Sequence, residues 1–246
     1  MNAAPTWTNQ SLRDVHERPD KGARVRAMFA QIARRYDLNN HLHSLGRDRA
    51  WRCLAADMAQ VTPADRVLDV ATGTGDLAAQ FVRRGAAAVT GIDFCPEMLD
   101  RARDKYRRLD VRWLEGDALA LPFADGTFTL AAIAFGLRNV QRPQRCLEEM
   151  FRVVSPGGRA VVLEFHPLGA GLLGRALGWY VDRVMPITAG WIARDRSGAY
   201  RYLSASVGQF ATAGELDDQM RQAGFAQVTC RKLAVGLAAI HVGVRP

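Results

Sequence analysis

Four short stretches carry the residues that could do chemistry. Val67-Leu68-Asp69-Val70-Ala71-Thr72-Gly73-Thr74-Gly75-Asp76 reads as a buried strand running into a glycine turn, and Gly91-Ile92-Asp93 as a second strand ending in a carboxylate. Glycines are needed where a strand reverses into a helix and the backbone must come close to a ligand, because a Cβ there would clash. An acid ending the next strand can accept both hydroxyl protons of a ribose, so Gly73, Gly75 and Asp93 outline an adenosine-shaped site. Asp117, in Glu115-Gly116-Asp117-Ala118-Leu119, falls at the C-terminal edge of a third strand. There it can accept the exocyclic amine of adenine while Ala118 donates through its backbone and Leu119 packs the ring; equally, Asp is common at strand ends as a cap or turn former. A fourth strand ends in Ala134-Phe135-Gly136-Leu137-Arg138-Asn139-Val140. Arg138 in its charged state is no base, but it can hold a phenolate, polarise a quinol hydroxyl or orient a water. An ion pair with the helix carrying Glu148 and Glu149 is its structural alternative.

The glycine loop alone suits two ligands. Gly73-x-Gly75-x-x-Ala78 fits a dinucleotide fingerprint, and Ala71 stands where methyltransferases often have their first glycine. Asp76, however, sits where a pyrophosphate would arrive at the helix N-terminus, and Asp69 lies just before the turn. Carboxylates around the loop favour a cationic ligand, so Asp69, Asp76 and Asp117 tip the balance from NAD toward S-adenosylmethionine, which carries an ammonium and a sulfonium but no phosphate. The D/N-P-P-F/Y stretch of enzymes that methylate adenine amino groups is absent after the fourth strand, which counts against base methylation.

These residues must be positioned by an α/β framework. Strands are expected over 66–70, 88–92, 111–115, 128–134 and 159–165, and helices over 75–84, 96–107 and 143–153, a rhythm that implies a mostly parallel sheet. Ser155-Pro156-Gly157-Gly158 marks a turn between helix and strand. A helix over 213–223, capped by Gly224, and strands over 226–233 and 238–244 close the chain; the short link makes those two strands antiparallel partners. Residues 1–22 read as a flexible lead. Residues 23–246 form a single domain, with N-terminal helices in 23–62 and an apolar, aromatic insertion over 166–203.

The chain has 246 residues, 48% of them hydrophobic, enough for one substantial core, and a net charge of +8. Basic residues alternate with acids, as in Arg101-Ala102-Arg103-Asp104-Lys105, which favours solvated helix faces over a nucleic-acid partner. Cys53, Cys95, Cys146 and Cys230 have no metal-ligand spacing and read as reduced cytosolic thiols. His41-Leu42-His43 lacks further ligands, so no metal is expected. The polar Met1–Asp20 stretch is not a secretory signal, and the apolar tract 168–193 is broken by Arg175, Asp182, Arg183 and Pro186 before it reaches a membrane-spanning length.

Tyr36-Asp37-Leu38-Asn39-Asn40, Trp51, the glycine loop, Leu121-Pro122-Phe123, Phe135 to Val140, Pro156-Gly157-Gly158 with Leu163-Glu164-Phe165, and Tyr200-Arg201-Tyr202-Leu203-Ser204 with Ser206 together resemble the ubiquinone/menaquinone biosynthesis C-methyltransferase family, over residues 24–244. The resemblance implies a Rossmann-like, seven-stranded class I methyltransferase sheet with an antiparallel last strand, helices on both faces and an N-terminal helical lid. It implies S-adenosylmethionine-dependent C-methylation of a polyprenyl quinol, demethylmenaquinol or the ubiquinone-pathway benzoquinol, with another small phenolic acceptor as the alternative. Thr74, Asp93, Asp117 and Ala118 would contact the cofactor together with Asp69, Gly73, Gly75 and Ala134, the last standing where the family often has serine. Arg138 and Asn139 would stabilise the phenolate. Tyr36 and Asp37 would close the pocket and relay a proton, with His166 and His241 as alternative bases or ordinary strand-end histidines. Asn39, Asp48, Ser155 and His166 depart from the family pattern. The expected setting is cytoplasmic, with peripheral contact at the inner face of the cell membrane and a homodimer both left open.

Overall fold

The computed structural model describes residues 7–8, 10–33, 37, 46–167 and 198–246. The expected alternation is present, with one helix not foreseen, α6, which begins inside the stretch read as an insertion: α1 (Lys21–Ile32), α2 (Arg47–Met58), β1 (Arg66–Val70), α3 (Asp76–Arg83), β2 (Ala88–Asp93), α4 (Pro96–Lys105), β3 (Arg112–Glu115), β4 (Phe128–Ala134), α5 (Pro143–Val153), β5 (Val154–Phe165), α6 (Ala199–Gly208), α7 (Ala213–Gln222), β6 (Ala226–Leu233) and β7 (Ala238–Val244). The seven strands form one sheet in the order β3-β2-β1-β4-β5-β7-β6. Neighbours are parallel from β3 through β5, whereas β7 runs antiparallel to both β5 and β6.

The central strands are buried on both faces, and their side chains divide between two cores. Along β1, Leu68 and Val70 join Ile133 of β4 with Leu147 and Met150 of α5 and Met220 of α7. Val67 points the other way, joining Leu130 and Ala132 with Trp51 and Ala55 of α2 and Phe81 of α3. The two-residue period of a strand makes this division, and a helix layer on each face completes it. β5 begins five residues earlier than the sequence predicts, because Val154 pairs with Phe128 across a register shift that absorbs the Pro156-Gly157-Gly158 turn.

A third cluster corrects the expectation of a loose lead. Trp7 and Val15 are fully buried against Val25, Met28 and Tyr202, with the Trp7 and Tyr202 rings 4.5 Å apart. The apolar residues of the lead find a partner in α6, which is remote in sequence. The stretch 168–193, including Trp179, Tyr180 and Trp191, lies outside the described residues. No helix among the described residues is long and apolar enough to cross a membrane.

Candidate active site

The chain leaves β1 for β2 on one side and reaches β4 on the other, so the sheet order reverses at the C-terminal ends of β1 and β4. Open α/β sheets bind ligands in that crevice. A cavity opens there with about 760 Å³ of empty space, counting the part open to solvent. Asp93, Phe94 and Met98 form one wall, Asp117, Ala118 and Leu119 another, and Ala134, Phe135 and Asn139 the far end. A smaller space shares Ala71, Gly73 and Ala134 with it and adds Arg52, Asp69 and Thr74.

The loop between β1 and α3 is built by its own hydrogen bonds. Asp69 Oδ2 accepts from Thr72 Oγ1 at 2.6 Å and from the Ala78 amide at 2.9 Å. Asp93 accepts from the Gly73 amide at 2.8 Å and the Cys95 amide at 2.9 Å, so the carboxylate faces the cavity in a fixed orientation. Each oxygen keeps a second lone pair for a ligand hydroxyl. Burial pushes Asp93 up to about 6 and Asp69 up to about 7, with the hydrogen bonds only partly offsetting it. Ala71 adopts the left-handed conformation (φ 49°) that a glycine would take without strain, and so does Phe135 (φ 58°).

Asp69, Gly73, Thr74, Asp93, Asp117, Ala118, Ala134 and Asn139 therefore border the crevice. Asp117 is also the turn former that its alternative reading describes, since Oδ1 accepts from the Leu119 amide at 2.9 Å. Gly75 lines neither space. It is the left-handed residue before α3, and a Cβ on it would lie 2.5 Å from the Trp113 ring, so packing demands the glycine. Asp76 contributes less charge to the loop than its position suggests. Lys105 Nζ at 2.5 Å and Tyr106 Oη at 2.6 Å already meet it. Asp37 is occupied too: one oxygen accepts from Thr74 Oγ1 and the other from Lys105, both at 2.6 Å, which suits fastening the N-terminal segment over the loop better than relaying a proton. Tyr36, Asn39 and the two histidines His41 and His43 lie outside the described residues.

Arg138 borders neither space. Its partner is Glu164 of β5 at 2.6 Å, not the α5 acids of its structural alternative, and its Nη1 also donates to the Phe135 carbonyl at 2.8 Å. Asn139 does face the cavity. Its amide donates to the same carbonyl at 3.0 Å, and Tyr202 Oη donates to its oxygen at 3.0 Å. Lys21, fully buried, donates to the carbonyls of Arg138 and Val140 at 2.8 and 2.6 Å and pins the start of α1 to this turn. Sequence reading passed over Lys21, Arg52, Phe94 and Met98; of these only Phe94, adjacent to Asp93, carried a local signal. Asp48, where the family pattern has histidine, pairs with Arg52 at 2.9 Å, and the Arg52 guanidinium lies 5.0 Å from the Phe135 ring.

These surroundings fit one kind of cofactor. Asp93 and Asp117, with the apolar Phe94 and Met98, suit an adenosine, and Asp69 beside Arg52 offers an anion and a cation to the ammonium and carboxylate of an amino acid. S-adenosylmethionine joins those two halves. A pyrophosphate would meet Asp69 instead.

Solved structures share the architecture. A SAM-dependent methyltransferase of Thermotoga maritima superposes with a TM-score of 0.59 at 21% identity, covering 89% of this chain and all of that one. The [4+2]-cyclase SpnF superposes with a TM-score of 0.62 at 21% identity and 82% coverage of both, so the fold alone does not fix the reaction. Sequence relatives are nearer. A demethylmenaquinone methyltransferase of Thermus thermophilus is 50% identical over 89% of this chain and 100% of its own length, and one from Deinococcus radiodurans is 44% identical over 96% and 98%. A ubiquinone/menaquinone biosynthesis C-methyltransferase, UbiE, of Cereibacter sphaeroides is 39% identical over 96% of both chains. The profile of the ubiE/COQ5 methyltransferases matches residues 17–245, a span that includes every wall of the crevice, and by that match the chain belongs to the ubiE/COQ5 methyltransferase family.

Proposed function

We propose that the chain transfers a methyl group from S-adenosylmethionine to a ring carbon of a polyprenyl quinol, demethylmenaquinol being the acceptor that its relatives at 50% and 44% identity favour. The observation that carries this reading is the course of the crevice. It runs without a break from the carboxylates Asp93 and Asp117 to the Asn139 amide at the end of β4.

The bound cofactor would supply an electrophilic methyl on its sulfonium. The chain's own part is to hold the acceptor in line with that methyl and to favour ionisation of the neighbouring quinol hydroxyl, which makes the ring carbon a better nucleophile. Tyr202 and the Phe135 carbonyl fix the Asn139 amide at the cavity's end. Arg138 acts beside it: Glu164 and the Phe135 carbonyl occupy its Nη1, while its buried Nε has no hydrogen-bond partner among the described residues. Arg138 thus positions the turn, and the Asn139 amide, which does line the cavity, is the donor to the developing phenolate. Phe29, Phe94 and Phe135 line the space and exclude water from the reacting atoms.

Incubation with methyl-labelled S-adenosylmethionine and a short-chain demethylmenaquinol, followed by mass analysis, tests the reading. The expected product carries one added methyl on the ring carbon. A product methylated on oxygen, or transfer only to an unprenylated phenol, would overturn it.

A further inference from the structure

Away from the crevice, a chain of polar contacts crosses the β6–β7 edge of the sheet. His166 Nδ1 lies 2.9 Å from the Ala211 carbonyl, His166 Nε2 lies 3.1 Å from His241 Nε2, and His241 Nδ1 lies 2.7 Å from Asp217 Oδ1. A carbonyl only accepts, so His166 Nδ1 carries a hydrogen and, in the neutral ring, Nε2 carries a lone pair. His241 Nε2 must then donate to it. That leaves the lone pair of His241 Nδ1 facing a carboxylate oxygen, two acceptors at a distance that either one further proton on the imidazole pair or a bound cation makes favourable.

Cys230 decides which cation fits. It stands opposite His241 in the β6–β7 register, and its Sγ, His241 Nδ1 and a carboxylate oxygen of Asp217 all lie within 4.8 Å of one another. A proton between Asp217 and His241 would make no use of the sulfur, whereas nitrogen, oxygen and thiolate donors together are a zinc set. Zinc bonds of about 2.0–2.3 Å place such donors about 3.3–3.8 Å apart, so the Asp217–His241 pair at 2.7 Å would open while the set, now within 4.8 Å, would draw together around the ion. His166 takes the part of the outer partner that a metal-bound histidine requires, fixing the tautomer through the other ring nitrogen.

We propose that Asp217, Cys230 and His241 bind a zinc ion that fastens α7 to the β6–β7 edge. Each of the three elements supplies one ligand, so no metal spacing is visible along the chain. His241 is buried, and Asp217 and Cys230 are half-buried, which gives the ion an entry path and leaves a fourth position to water. Neither cavity of the crevice includes any of the three residues, so the role is structural. On binding, the Cys230 thiol gives up its proton to solvent.

Chelator-stripped full-length protein, titrated with zinc chloride in thermal melts and with cobalt(II) in absorbance, tests the site. The expected results are a melting temperature that climbs with zinc concentration and a thiolate-to-cobalt charge-transfer band in the near ultraviolet. Cys230→Ser should abolish the band, and Asp217→Asn should weaken metal binding by about tenfold or more, both variants melting like the stripped wild type without metal. An absent band in the wild type would overturn the proposal and leave a proton holding the Asp217–His241 pair. So would a band and zinc shift that persist in Cys230→Ser.

Discussion

Arg138 and Glu164 meet at 2.6 Å with both side chains withdrawn from solvent, and through this pair β5 sets the turn that ends β4. The Glu164 carboxylate also accepts from the Arg138 amide at 3.1 Å, so one acid holds both the backbone and the side chain of the residue beside Asn139. Glu164→Ala would leave a buried guanidinium uncompensated, which costs about 3–5 kcal/mol. The urea midpoint should fall accordingly, and transfer should fall further than stability explains. Unchanged stability would mean that Arg138 finds another partner.

Asp93→Ala removes the acid assigned to the ribose hydroxyls and the acceptor for the Gly73 and Cys95 amides. Hydrogen bonds to a charged group contribute about 1.5–3 kcal/mol each. With two hydroxyls held, calorimetric titration with S-adenosylhomocysteine should therefore show affinity weakened by about a hundredfold to ten-thousandfold. Binding at wild-type strength would remove Asp93 from the cofactor site.

The buried Asp69 makes cofactor binding depend on pH. Burial raises its pKa from 3.8 to about 7, so between those values the native chain keeps a proton that the unfolded chain has released, and apo stability falls as pH rises through that window. A cationic ligand prefers the ionised acid, so affinity should rise between pH 6 and pH 8. Asp69→Asn should flatten both trends, read by melts and titrations across that range. A variant with the wild-type pH profile would assign the titration elsewhere.

Tyr202→Phe tests the orientation of Asn139. The phenol is buried, which holds its pKa above the usual range and keeps it a donor to the amide oxygen at any working pH. Losing it leaves the Asn139 oxygen without that donor and its amide free to rotate, so kcat should fall while cofactor affinity holds. An unaltered kcat would show that the Phe135 carbonyl suffices.

What could be read from sequence and what could not divide along the chain's locality. Strand β4 and helix α5 fall at the residues expected of them, and Gly73, Asp93 and Asp117 converge because each ends a neighbouring strand of one sheet. Partnerships across the fold were invisible. Nothing local pairs Arg138 with Glu164 rather than the acids of α5, or seats Trp7 on Tyr202. Gly75 and Asp76 were legible as loop residues, but their work is set by Trp113 and Lys105, which come from β3 and α4. Asp217, Cys230 and His241 show the same limit, since a sheet edge brings them together and no spacing does.

Lys21 is the clearest case of a residue whose task only the fold reveals. It begins α1, yet its ammonium serves the carbonyls of Arg138 and Val140, with His16 Nδ1 at 3.0 Å as a third neighbour. Burial lowers its pKa from 10.5 to about 7, and the Arg138 charge adds to the effect. Between those values the unfolded chain binds a proton that the native chain has lost, so this group's contribution to stability increases as pH rises, by at most about 1.4 kcal/mol per pH unit. Lys21→Met keeps the shape of the side chain but removes the titration and both carbonyl partners. Urea midpoints measured at pH 7, 8 and 9 should rise less steeply for the variant than for the wild type. Because the released carbonyls belong to the turn that carries Asn139, kcat should drop in the same variant at every pH. Parallel stability profiles for the two proteins would mean that Lys21 remains charged in the native state, with its three acceptors offsetting its burial.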